Sequence, residues 1–179
     1  ISSLPKSDTI KGIFFITKAR GWILTSSATS MGKEEKYLYR TDDGGETWDK
    51  IMQNTGSPNS SKDTSNSISN EGYLTGMSFI DTLHGFVTLQ ELGSSSLYTT
   101  DDGGSSWLAV PDFVDSTKMS TCSSLELGIP QFKGKSGDSG FMPLACTVGD
   151  KTKFNGYFTS DQGVTWQLKS FNLDWSEGL

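Results

Sequence analysis

The phrase LYRTDDGGETW, Leu38–Trp48, returns as LYTTDDGGSSW at Leu97–Trp107 and, worn, as YFTSDQGVTW at Tyr157–Trp166. Its central aspartates are Asp43, Asp102 and Asp161, two equal steps of 59 residues. A phrase kept at constant period marks a chain built from similar units, each of which buries its apolar face against the next. The step is longer than most helical repeats and matches one β-propeller blade with long loops.

Each unit has the same grammar. A glycine opens a short apolar strand: GIFFIT at Gly12, GMSFID at Gly76, GIPQFK at Gly128. After a polar turn, a second glycine precedes an apolar run: RGWIL, HGFVT, SGFMP. A variable loop follows. A third strand enters the repeated phrase, and a fourth leaves it as TWDKIM, SWLAVP or TWQLKS. Short β-rich runs bounded by Gly, Asp, Ser and Asn are strands, and no stretch keeps a 3.6-residue period. The expected fold is all-β and of β-propeller type, with three four-stranded antiparallel blades. Their expected spans are about 10–53, 74–112 and 127–171.

With strands A to D in each blade, the A–B and C–D turns share one face of the disc. The B–C loops and D–A connections share the other. The B–C segments TSSATSMGKEEK, QELGSSS and TVGDKTKFNG differ in every copy, as do the connections. Variation on a rigid scaffold marks the binding face, so a protein or carbohydrate ligand is expected there, opposite the repeated turns. Segment 53–72, rich in Ser and Asn, reads as a disordered tether.

Every conserved letter of the phrase has a folding task. Thr41, Asp43, Gly45, Thr47 and Trp48 correspond to Thr100, Asp102, Gly104, Ser106 and Trp107. The third set is Thr159, Asp161, Gly163, Thr165 and Trp166. The aspartate accepts backbone N–H groups in a tight turn, the glycine supplies positive φ, and the hydroxyl adds a side-chain bond. The tryptophan buries its ring between sheets. The pattern Ser/Thr-x-Asp-x-Gly-x-Thr-Trp resembles the Asp box, or bacterial neuraminidase repeat, of sialidases, sortilin-type receptors, some glucanases and photosystem II assembly factor-like propellers. The likeness covers essentially the whole chain. It comes nearest to the assembly-factor-like propellers of uncharacterised bacterial proteins. In that family the box is a structural turn at the blade periphery, away from any active site.

Catalysis by the box aspartates is disfavoured, because glycosidase carboxylates work in pairs about 5–9.5 Å apart and boxes on different blades are farther apart than that. Calcium at Asp42–Asp43 or Asp101–Asp102 is disfavoured by Ser160 in the third copy. His84, the only histidine, aligns with Arg20 and Ser139 and reads as a solvated turn residue. Sialidases hold the substrate carboxylate with three arginines, and this chain has only Arg20 and Arg40. Trp22, Phe86 and Phe141 share one strand-B position; they form either an aromatic row for sugars or, preferably, core between blades. Trp175 breaks the repeat and either starts a fourth blade or latches the third.

The chain has 179 residues and a formal net charge of −6, which speaks against nucleic acid or an anionic membrane as partner. No apolar run approaches a membrane span. The chain opens on ISSLPKSD without a signal peptide, the start expected of a processed or trimmed protein. Polar loops and the family habit place it outside the cytoplasm, secreted. Cys122 and Cys146 form either a disulfide or two separate buried thiols; no CxxC or Cys/His cluster suggests zinc, and neither metal nor cofactor is expected.

Three blades fall short of the usual four to eight. The expected solutions are a fragment of a six- or seven-bladed propeller, a homodimer that completes a ring, or an open arc. The function expected first is a non-enzymatic scaffold. The alternatives are a fragment of a secreted, sialidase-like glycoside hydrolase with its catalytic groups elsewhere, and an assembly factor for a membrane complex.

Overall fold

The computed structural model describes residues 8–30, 33–54, 66–91, 94–114, 119–134 and 136–170. Among the described residues there are thirteen strands and no helix, so none that could cross a membrane. The strands form three antiparallel sheets, one per copy of the phrase. The first runs β1 (Thr9–Phe15), β2 (Gly21–Ser30), β3 (Lys33–Thr41) and β4 (Asp49–Asn54), in that spatial order. The second runs β5 (Tyr73–Phe79), β6 (Gly85–Glu91), β7 (Ser94–Thr100) and β8 (Leu108–Ala109). The third has five strands: β9 (Ser124–Leu127), β10 (Gln131–Lys133), β11 (Ser139–Val148), β12 (Lys151–Thr159) and β13 (Gln167–Ser170).

The fifth strand departs from the expected four. In β1 and β5 the register shifts at the opening glycine, between Ile10 and Gly12 and between Leu74 and Gly76. The third copy carries Pro130 just after that point. Proline has no N–H for the ladder, and the strand divides into β9 and β10, both paired with β11. The sheet therefore begins at Ser124, before the expected residue 127.

The second glycine of each unit has a single cause. A Cβ at Gly21 would lie 2.6 Å from the Phe15 ring, at Gly85 2.5 Å from Phe79, and at Gly140 2.7 Å from Phe132. Each ring lies on the bare backbone of the facing strand, a contact only glycine permits.

The middle sheet is buried on both faces. Val87 and Leu89 of β6 face a core shared with Trp22, Leu24, Leu38 and Met52 of the first sheet. Phe86 faces the opposite core with Leu127, Met142, Leu144 and Tyr157 of the third. Two-faced burial shows in the unbroken burial of β6 from Gly85 to Leu89, Thr88 included. On β1, by contrast, Ile10, Ile13 and Phe15 are exposed.

The turns meet as their parity requires. Gly44 N donates to Ala19 O, Gly103 N to Leu83 O and Gln162 N to Asp138 O, at 2.8, 2.8 and 3.1 Å. The other end differs from expectation. The segments read as long B–C loops are mostly strand: pairing continues to Ser30↔Lys33 in the first sheet, Glu91↔Ser94 in the second and Val148↔Lys151 in the third. Their letters vary because strand ends are free to vary, and they supply few loops for a ligand.

Residues 55–65 of the expected tether lie outside the described residues. Residues 66–72 are held firmly. Ile68 is fully buried, Asn54 Nδ2 donates to Ile68 O, and Lys36 Nζ donates to Gly72 O at 3.0 Å. Cys122 and Cys146 are joined as a disulfide with Cα atoms 5.4 Å apart, fastening the turn before β9 to β11.

Candidate functional site

The repeated turn has nearly the same hydrogen bonds in all three copies. Thr41 Oγ1 donates to Asp43 Oδ1 at 2.7 Å and accepts from Gly45 N at 2.9 Å. The Thr47 amide and hydroxyl both donate to the Asp43 carboxylate, at 2.9 and 2.6 Å. Asp102 takes the same bonds from Thr100 and Ser106. Asp161 takes them from Thr159 and Thr165. The second glycine carries φ of 96°, 94° and 82° in the three copies, a left-handed conformation that a side chain would strain.

Donors from each turn hold all three carboxyls below their ordinary range. The Thr47 hydroxyl and amide, then the Thr41 hydroxyl, hold Asp43 well below the usual carboxylate range. The Thr165 hydroxyl and amide, then Thr159, lower Asp161 to about 2. At Asp102 burial pulls upward, but the bonds from Ser106 and Thr100 outweigh it and the group is lowered. A carboxylate held ionised by three donors is a poor general acid and has little capacity left for a ligand.

The neighbouring acidic position differs between copies. Asp42 is claimed by two guanidiniums, pairing with Arg20 and, at 3.7 Å, with Arg40. Two cations on one carboxylate leave no vacancy for calcium. Asp101 holds the same place in the second copy. The positions of Arg20 and Arg40 are there His84 and Thr99, and no ion pair to Asp101 is found among the described residues. His84 is half exposed, its Nδ1 2.8 Å from Asp81 Oδ2, in keeping with a solvated turn.

Between the second and third sheets, on the side of the repeated turns, lies an open cavity of about 450 Å³. Phe86, Phe113, Tyr157 and Trp166 contribute rings to its lining, and His84, Asp101, Ser106 and Gln162 contribute polar groups. The rings brace one another. Trp166 meets Phe86 and Phe113 edge-on at 6.2 and 6.3 Å, and Phe113 lies 4.6 Å from Tyr157. Tyr157 also donates its hydroxyl to Phe113 O. Trp48 and Trp107 donate Nε1 to Gly45 O and Gly104 O, at 3.1 and 3.0 Å. Trp166 Nε1 is buried without a partner.

This cavity is on the face where no ligand was expected. Of its lining, the sequence had singled out His84 as solvated, Phe86 as core in preference to a sugar platform, Asp101 as a disfavoured calcium ligand, Thr100, Ser106 and Gly163 as turn residues, and Trp166 as a ring buried between sheets. Phe113, Val110 and Gln162 passed unnoticed. Their signal was present as a size difference between aligned copies: Trp22 against Phe86, Arg20 against His84, Arg40 against Thr99.

The three aligned strand-B aromatics separate. Trp22 and Phe86 are buried in the two cores. Phe141 is half-buried beside Phe158, ring centroids 5.0 Å apart, in a second groove of about 660 Å³ on the third sheet. Trp175 lies outside the described residues. Among the described residues no group of three or more His, Cys, Asp or Glu side chains is placed to hold a metal ion.

No family model matches this chain, and no curated protein does. Among solved structures, the crystal structure of the GH74 enzyme of Niastella koreensis is similar, with 14% identity and a TM-score of 0.45. The match covers 92% of this chain, which spans about 30% of that enzyme's length.

Proposed function

We propose that the three sheets are consecutive blades of an Asp-box β-propeller, part of a six- or seven-bladed ring. In this reading the chain is a non-enzymatic module that binds a protein or glycan, and its Asp boxes are structural turns. The threefold recurrence of the box hydrogen bonds supports the architecture. The binding reading is carried by one observation: the cavity between the second and third sheets is walled by four aromatic rings, while every box carboxylate is saturated by its own turn. Aromatic walls with a few polar groups at the edge are the composition of a recognition site. Work outside the cytoplasm is the reading that the Cys122–Cys146 disulfide favours.

The test has two arms. The intact gene product, incubated with sialosides and β-glucans, is expected to release no sugar; turnover would replace the scaffold by a glycoside hydrolase. Asp43→Asn and Asp161→Asn are expected to lower the melting temperature and leave ligand affinity unchanged. A selective loss of affinity with unchanged stability would give the boxes a direct binding role.

A further inference from the structure

The first and second inter-sheet interfaces are built on the same register, so each shows what the other lacks. At the first, the Trp22 indole lies flat on Phe79, ring centroids 3.7 Å apart, and its Nε1 donates to Gly103 O at 2.9 Å. Arg40 extends along the same face. One of its terminal nitrogens comes within 3.7 Å of where a Cβ on Gly103 would stand, so the guanidinium lies against the second turn while pairing with Asp42. Arg20 completes the cluster.

At the second interface three of these groups are smaller, while Gln162 stands where the first has Gly103 and turns its amide away to Ser136 O, donating at 2.7 Å. Phe86 replaces Trp22, Thr99 replaces Arg40 and His84 replaces Arg20. The acid is retained as Asp101. The cavity of about 450 Å³ is lined by these residues, and its walls are aromatic. The first interface thus holds a guanidinium between a carboxylate and a neighbouring turn. The second keeps the carboxylate and faces a turn that carries Gln162 in place of Gly103, and it has an open space in place of the cation.

We infer that this cavity receives an arginine side chain from a partner protein, its guanidinium taking against Asp101 the place that Arg40 takes against Asp42. The inference rests on the reading of the groove as a binding surface and names what it binds. A planar guanidinium matches a carboxylate with two parallel donors, and it is weakly hydrated enough to lie against aromatic rings. The chain's net charge of −6 favours approach of a basic segment.

The test uses the 179-residue chain and two peptides: acetyl-Ser-Arg-Ser-amide, and the same peptide with citrulline, the uncharged isostere of arginine. Maltotriose serves as a neutral glycan probe. The readout is the indole N–H resonance of Trp166, with those of Trp22, Trp48 and Trp107 as internal controls. The arginine peptide is expected to move the Trp166 signal saturably and the citrulline peptide to leave it in place. Asp101→Asn, at an exposed site, is expected to weaken the arginine peptide roughly three- to fivefold. Phe86→Trp fills the cavity as Trp22 does and is expected to abolish the response while the melting temperature holds or rises.

Equal responses to arginine and citrulline, or indifference to Asp101→Asn, would overturn the cation while leaving the groove a binding surface. A response to maltotriose alone would overturn the inference in favour of a glycan. Silence from all three probes would overturn both the inference and the groove's role.

Discussion

The two interfaces of the middle sheet share a backbone plan and are filled by opposite means. The first is packed with long side chains: on one face of β3, Lys36, Leu38 and Arg40 reach toward the second sheet and its connection. The second is built lightly: β7 offers Ser95, Leu97 and Thr99 in the same register. Both versions meet their hydrogen-bonding obligations near the strand start. Lys36 Nζ donates to Gly72 O; Ser95 Oγ donates to Leu125 O at 2.9 Å and accepts from Leu127 N at 3.3 Å. At the other end they part, the first closed by Trp22 and two arginines, the second left as a cavity. A repeat therefore conserves the turns that shape the backbone, while the side chains between turns are free to seal one seam and open the next.

The comparison is broken most severely by truncating the aromatics. Trp22→Ala is expected to cost about 4–5 kcal/mol, since the indole is fully buried, stacked and hydrogen-bonded. Phe86→Ala, beside a cavity that already exists, should cost about 3 kcal/mol. Denaturant unfolding of both variants checks the order, and equal losses would mean the second seam is packed as tightly as the first.

Next comes the disulfide, a clamp that belongs to the second seam alone. Cys122→Ser with Cys146→Ser opens a loop with sequence separation 24, and the expected loss is roughly 3 kcal/mol. Thermal melts with and without reductant measure it. The unreduced wild type should lose the same amount on reduction.

The first seam has its own signature in pH. Burial, which outweighs the attraction of Glu34 and Glu91, pushes Lys36 down to about 8. A lysine lowered in the folded state is the reverse of the usual case. Its burial cost is present in full below pH 8 and is relieved as pH rises from there toward the unfolded value near 10.4. The neutral amine keeps hydrogen atoms for the carbonyl oxygens of Glu71 and Gly72. Relative to Lys36→Met, the wild type is expected to gain about 2 kcal/mol between pH 7 and 9.5. Parallel stability curves for the two proteins would show that Lys36 is not desolvated.

The smallest expected effect is that of Arg40→Thr, which rewrites the first seam in the letters of the second. Both partners are partly exposed and Arg20 continues to neutralise Asp42. The loss should be about 0.5 kcal/mol, read from urea midpoints. A loss above 2 kcal/mol would mean that the guanidinium holds the second turn in place.

Much of this was legible in the letters. Three copies of Thr-x-Asp-x-Gly mark three turns because their bonds lie within six residues of chain, so local chemistry alone closes them. Gly21, Gly85 and Gly140 mark the strands on which Phe15, Phe79 and Phe132 lie, since the partners are joined by one short turn. Pro130, rightly weighed, marks the break between β9 and β10. The long B–C loops were misread because polar letters at strand ends look like loop when the partner strand is unseen. The cavity was not legible, for its walls come from β6, β7, β8, the second turn and the segment after β8 on one side, and from β12 and the third turn on the other.

What the sequence determined by itself was the count of units, their β character and the turn that closes each. Those depend on contacts between residues near in sequence, and a constant period repeats them without reference to the rest of the molecule. Only the tertiary structure decided which seam is sealed, that Cys122 meets Cys146, that Lys36 is buried, and that Asp101 stands beside an aromatic cavity without the guanidiniums its counterpart has. Those depend on how side chains from separate units fill a shared space, and the volume of a gap is a property of both walls together.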